Sequence, residues 1–148
     1  MPFTEDYLPY LLARASHEVS SSFHASLKGW SLSVPEWRVL ACLTEVDGLG
    51  VGQLAAMALM KQPSMTKVLD RMEAEGLVRR KATVEDRRRV LIHLTAKGRA
   101  RVKPVLAAAL VHQRECLAPF DEAERALIMR ALHLLIGEAD PPALLSRG

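Results

Sequence analysis

No apolar run in the 148-residue chain approaches the roughly 18 residues that a bilayer-spanning helix requires. Cysteine is nearly absent: Cys42 and Cys116 are the only two, too few for a disulfide scaffold. Aromatic residues make up 5% of the chain, while Leu and Ala are abundant, which favours helices. The N-terminal stretch MPFTEDYLPYLL carries two acids ahead of any apolar run, where a signal peptide would carry positive charge. A cytoplasmic chain with no membrane segment is therefore expected. G-x-S-x-G, P-loop, G-x-G-x-x-G, C-x-x-C and H-E-x-x-H patterns are all missing. That leaves no catalytic residues, metal site or cofactor to expect, and no enzyme activity. Internal repeats and low-complexity tracts are missing too.

What is present is charge in one place. The chain as a whole is only +3. Residues 79–103 hold ten Lys or Arg against two acids, a local +8, so the remainder is −5. Such a block suits phosphate contact, or it is a solvated helix face with a basic turn.

Apolar periodicity predicts a long helix from about Tyr7 to Lys28, capped by Asp6 or Thr4 and stopped at Gly29. Its stripe is Leu8, Leu12, Ala15, Val19, Phe23 and Leu27, longer than a small domain can cover, which suggests a subunit interface. Ser33-Val34-Pro35-Glu36 reads as a capping box for a second helix with Trp37, Leu40, Ala41 and Leu43 or Thr44 inward. Asp47-Gly48 is a turn, followed by a short helix from Gly52 to Ala58. A further helix opens on Gln62-Pro63 and stops at Gly76, with Met65, Val68, Leu69 and Met72 as its buried stripe.

Beyond Gly76 the period shortens. Leu77–Thr83 and Val90–Leu94 read as two strands, joined by a polar tip, Val84–Arg89, too long for a two-residue turn. Thr95 caps a helix to Leu117, where Pro104 predicts a kink. A last helix, Glu122 to Ile136, is boxed by Asp121 and Glu124 and turns Leu127, Ala131, Leu134 and Leu135 inward. Asp140-Pro141-Pro142 closes the ordered part.

Helix, turn, helix and hairpin in that order make a winged helix-turn-helix, mainly α with a small β-hairpin wing. A helix fits the B-DNA major groove, with its N-terminal residues facing base edges. Gln62, Ser64, Met65, Thr66 and Lys67 occupy that end, although Met65 also falls in the buried stripe. Gln can pair bidentately with adenine, and Ser or Thr can meet bases or phosphates. The arginines of the wing suit a narrow minor groove, where negative potential is strongest.

At these residues the chain resembles the MarR-type winged-helix regulators. Leu69-Asp70-Arg71-Met72-Glu73, then Glu75-Gly76-Leu77-Val78-Arg79-Arg80, is similar to that family's recognition-helix exit. Asp86-Arg87-Arg88 is similar to its Asp-x-Arg wing motif, and Leu94-Thr95-Ala96-Lys97-Gly98 to its Leu-Thr-x-x-Gly entry. The resemblance covers nearly the whole chain. It implies a homodimer on double-stranded DNA with a pseudo-palindromic operator, the two recognition helices one turn apart, roughly 34–36 Å. It divides the chain into a DNA-binding lobe, 33–94, and dimerisation helices, 5–30 and 95–140. It implies that Arg88 enters the minor groove, oriented by a salt bridge from Asp86, with Arg87 and Arg89 on phosphates. Arg38 and Arg71 would be backbone contacts. It also implies repression relieved by a small aromatic or phenolic effector, for which Arg14, His17, Trp30 and Trp37 are the candidate contacts.

Two other readings stand beside it. One is a thiol-based sensor at Cys42 or Cys116; the resembled family's peroxide-sensing branch carries its cysteine in the first helix, where this chain has none. The other is a winged-helix module for protein partners, for which three consecutive arginines have no evident use. His112 and Cys116, four apart on a helix, could give two metal ligands, which is not a site.

Overall fold

The computed structural model describes residues 2–138. The expected Asp140-Pro141-Pro142 terminator lies outside them. The elements run α1 (Phe3–Asp6), α2 (Leu8–Ser26), a 3-10 turn (Leu27–Trp30), α3 (Val34–Glu45), α4 (Val51–Met57) and α5 (Gln62–Ala74). They continue with β1 (Val78–Ala82), β2 (Val90–Leu94), α6 (Ala96–Leu117) and α7 (Glu122–Leu135). The chain divides into two compact units, one ending at Leu110 and the other beginning at Val111.

In the first unit the core is aliphatic. Leu27, Leu40, Leu43, Leu54, Met65, Leu69, Met72, Leu77 and Ile92 are its largest fully buried side chains. The expected stripe of α5 is buried at all four positions, as are Leu54, Ala55 and Ala58 around α4. Val39 joins the core although the inward set for its helix passed over it. Trp37 is half-buried and packs edge-to-face on Phe23, with ring centroids 5.3 Å apart.

The first helix departs from expectation at both ends. Neither Thr4 nor Asp6 caps it: α1 is a separate turn, and Tyr7 precedes Pro9 in the first turn of α2 with no side-chain cap. Gly29 does not stop it either. The chain tightens into the 3-10 turn, and Ser31 takes the left-handed conformation at φ 54°. Arg101 holds this corner by donating to the Trp30 and Ser31 carbonyls at 3.0 to 3.3 Å, a long-range bond that local pattern cannot announce.

The hairpin is antiparallel, with Val78 opposite Leu94 and Ala82 opposite Val90. It is shorter than expected at its first strand, since Leu77 and Thr83 lie outside the ladder. Leu49 exchanges both backbone hydrogen bonds with Ile92, at 3.1 and 2.7 Å, so the segment before α4 forms a third rung at the base of the wing. A single residue has no period to read, so the sequence reading missed it.

In the second unit, Asp121 and Glu124 form the expected capping box, with Glu124 N donating to Asp121 at 2.8 Å. The expected inward face of α7 is corrected: Leu127, Ala131, Leu134 and Leu135 are exposed, and α7 has no buried residue. Leu127 is 63% exposed. The periodic stripe is real, but no described residue of the chain covers it.

Candidate nucleic-acid interface

The candidate interface consists of α5 and the wing. Pro63 sits in the first turn of α5, where its missing N–H is not needed. Gln62, Ser64, Thr66 and Lys67 are exposed on that end. Met65 is fully buried in the core, so it cannot touch a groove: one residue in three to four must face inward, and Met65 is that residue here. The turn into α5 carries Leu59 at φ 59°, a left-handed conformation that costs a bulky residue roughly 1–2 kcal/mol. Leu59 is nevertheless 79% exposed.

The helix is then tied to the wing. Arg80 on β1 meets Asp70 at 2.6 Å and Glu73 at 3.3 Å through its guanidinium, and its backbone N–H donates to Glu73 at 2.8 Å. The acids of the Leu69–Glu73 motif thus serve the wing. Arg71 pairs with the buried carboxylate of Glu36 at 3.4 Å, and Glu36 also accepts from the Ser33 hydroxyl at 2.8 Å. Arg38 donates to the Ala58 carbonyl at 3.3 Å, at the end of α4. Both proposed backbone contacts therefore have partners inside the fold, and Arg71 remains half exposed.

At the wing tip, Arg89 N donates to Asp86 O at 3.0 Å, closing a four-residue turn over Asp86–Arg89. The Asp86 carboxylate accepts from the backbone N–H of Arg88 at 3.0 Å, and Thr83 Oγ1 bonds both Asp86 O and Asp86 N. The expected salt bridge from Asp86 to the Arg88 guanidinium is not made. A short acid two residues away reaches the backbone N–H first, which is the Asx-turn geometry. Arg87, Arg88 and Arg89 are exposed, and among the described residues none of them makes an ion pair.

Three further residues of the basic block hold the fold together. Lys97 Nζ donates to Glu75 O at 2.7 Å, Arg99 pairs with Asp47 at 3.4 Å, and Arg101 holds the corner before α3. Thr95 Oγ1 lies 2.6 Å from the Gly76 carbonyl and accepts from Gly98 N at 3.0 Å. A Cβ on Gly98 would stand 2.1 Å from the Leu77 carbonyl oxygen. The Leu-Thr-x-x-Gly motif is thus a close crossing of α6 over the start of the wing.

The effector candidates differ in burial. Arg14 and His17 are exposed on α2, whereas Trp37 and Trp30 are half-buried against the core. For the thiol reading, burial pushes the Cys42 thiol up, reinforced by Glu45, which keeps it protonated. Cys116 Sγ lies 3.4 Å from His112 Nε2. Among the described residues no group of three His, Cys, Asp or Glu could hold a metal. Nor is any described helix long and apolar enough to cross a membrane.

Residues 32–90 match the model of the MarR family. A crystal structure of a MarR family transcriptional regulator from Silicibacter pomeroyi DSS-3 superposes with a TM-score of 0.82 at 39% identity, covering 92% of this chain and 97% of that one. The Mycobacterium tuberculosis repressor Rv2887 is 31% identical over 128 residues, 86% of this chain and 92% of its own length. This chain belongs to the MarR family. Its likeness to Rv2887 extends to structure, where a complex of that MarR protein with salicylic acid superposes at a TM-score of 0.72, with 30% identity over 88% of this chain and 97% of that one. The transcriptional repressor CouR bound to a 23-mer DNA duplex superposes at 0.78, with 25% identity over 92% and 96%. The homoprotocatechuate degradative operon repressor of Escherichia coli is 35% identical over 95 residues, 64% of this chain. The match likewise spans only 64% of that repressor's length. MarR relatives of this kind are transcriptional regulators rather than enzymes.

Proposed function

We propose that this MarR chain is a homodimeric repressor that binds a pseudo-palindromic operator and releases it when a small aromatic ligand binds. The observation that carries the reading is the pairing of surfaces: the exposed polar end of α5 lies in the same lobe as a wing tip with three arginines that make no ion pair among the described residues. In this reading residues 33–94 are the DNA-binding lobe. Gln62, Ser64, Thr66 and Lys67 read the major groove, Arg88 enters the minor groove, and Arg87 and Arg89 meet phosphates. The CouR complex with DNA supports this by family likeness.

Dimerisation, assigned to residues 5–30 and 95–140, is supported by apolar stripes that the described chain leaves exposed. Leu8, Leu12 and Val19 line one on α2, and Leu127, Leu134 and Leu135 another on α7. Exposed apolar area on this scale marks an interface. The salicylic acid complex of Rv2887 supports an aromatic ligand, and Arg14, His17, Trp30 and Trp37 remain proposed contacts. The test is a gel shift with the DNA upstream of the protein's own gene, repeated across a salt series. Affinity should fall steeply with salt if several phosphates are contacted. Salt-independent binding, or none, would sink the reading. Light scattering on L127E/L134E should give half the wild-type mass.

A further inference from the structure

We infer that α5 recognises thymine in its operator by the 5-methyl group, through an apolar step formed by the ring of Pro63 and the γ-methyl of Thr66. The inference rests on the DNA-binding reading above and adds Pro63, which that reading leaves out. In α5 the buried stripe is Met65, Val68, Leu69 and Met72. At about 100° per residue, Pro63 lies about 170° and Lys67 about 150° from the centre of that stripe, so both look straight out of the lobe. Thr66 lies about 110° from it, while Gln62 at about 70° and Ser64 at about 90° sit on the flanks. Gln62 leans towards α4, with its Oε1 3.8 Å from where a Cβ on Gly52 would stand. Pro63 is exposed. When the buried stripe is turned away from a groove, the proline comes nearest the bases.

Proline has no N–H, and its ring carries neither donor nor acceptor. Against a base edge it makes only apolar contact, and the apolar group that the major groove offers is the thymine methyl. Thr66 is three residues on from Pro63, a spacing at which side chains are neighbours on the helix surface. Its Oγ1 donates to the Gln62 carbonyl at 3.1 Å. With that proton held inside the helix, the hydroxyl does not donate to a base, and the γ-methyl is left to meet one. One turn further along the same face is Asp70, whose carboxylate is held by Arg80 at 2.6 Å. That acid serves the wing, so the base-facing stretch ends at Lys67. A proline in the first turn also suits the helix itself. That structural role alone changes stability without any preference among bases, whereas methyl recognition creates a preference.

The experiment uses the full chain and a duplex that it selects from a random-sequence library. Each thymine of that duplex is replaced in turn by deoxyuridine, which removes the methyl and keeps the pairing edge. At one position in each half-site the exchange should weaken wild-type binding by about fourfold, the contribution of one buried methyl. Changing that pair to C·G should also weaken binding, and 5-methylcytosine in the same place should restore part of it. T66S keeps the hydroxyl and loses the methyl, and P63A loses the ring. Both variants, checked as folded by circular dichroism, should bind the thymine duplex more weakly and lose most of the preference over deoxyuridine. T66V keeps a methyl and loses the hydroxyl, so it should keep the preference. Equal wild-type binding of thymine and deoxyuridine at every position would overturn the inference and leave the DNA-binding reading standing. So would a P63A that keeps the full preference, or a T66V that loses it while T66S keeps it. Selection of no sequence at all would overturn the DNA-binding reading, and this inference with it.

Discussion

The Asp86 carboxylate holds the backbone of Arg88, at 3.0 Å from its N–H, and leaves the guanidinium free. The acid therefore shapes the turn that presents the arginine and does not pull the arginine's charge inward. The two residues should fail differently. R88A removes the charge but keeps the turn, so DNA affinity should drop with the wing amides unchanged by NMR. D86A removes the acceptor, so the amides of residues 86–89 should shift and affinity should drop through disorder of the tip. Loss of one such bond costs about 1 kcal/mol locally. Identical wing spectra for the two variants would contradict this division.

Arg80 is the tie between α5 and β1, through Asp70 and Glu73. These groups are partly exposed, so their contribution to global stability should be small. Their effect should be on spacing. R80Q is expected to melt close to wild type but to bind DNA more weakly on every sequence, since it misplaces the wing without altering base contacts. Binding assays on an operator and on scrambled DNA would show this. A loss confined to the operator would mean that Arg80 acts in base readout.

Gly98 has no room for a side chain, with Leu77 O only 2.1 Å from where a Cβ would stand. G98A should cost about 3 kcal/mol, the upper end of overpacking penalties, because the obstructing atom is backbone. Urea denaturation would measure it. A loss under 1 kcal/mol would mean that α6 can shift away from the wing, which its bonds through Thr95 argue against.

Leu59 takes a left-handed conformation in its turn without gaining burial. L59G should leave stability unchanged or raise it by up to about 1 kcal/mol, since glycine takes the left-handed region freely. Thermal or urea unfolding of the variant decides. A clear destabilisation would show that the leucine side chain packs in the native protein.

Much of the architecture was legible in the chain. Both halves of the hairpin, the limits of α5 and α6, and the buried stripe of α5 follow from periodicity and from Pro63, Gly76 and Thr95, which are local signals. The errors lie where the signal is not local. Gly29 looked like a stop, but Arg101, seventy residues away, helps to hold the chain at Ser31 instead. Lys97, Arg99 and Arg101 looked like the continuation of a phosphate-binding surface, but each has a partner that only folding supplies. Met65 could be read two ways, and burial chose.

By itself the sequence determined the element order, the winged helix-turn-helix class and the family motifs, because helix and strand periods, caps and turn residues act over a few positions. Only the tertiary structure decided which of the ten basic residues in 79–103 are left for a partner. Charge is additive along a chain, but availability depends on which acid or carbonyl the fold brings within reach. Here it ties Arg80, Lys97, Arg99 and Arg101 into the fold, and among the described residues it leaves the side chains of the three wing-tip arginines, with Arg79, Lys81 and Lys103, without an ion pair.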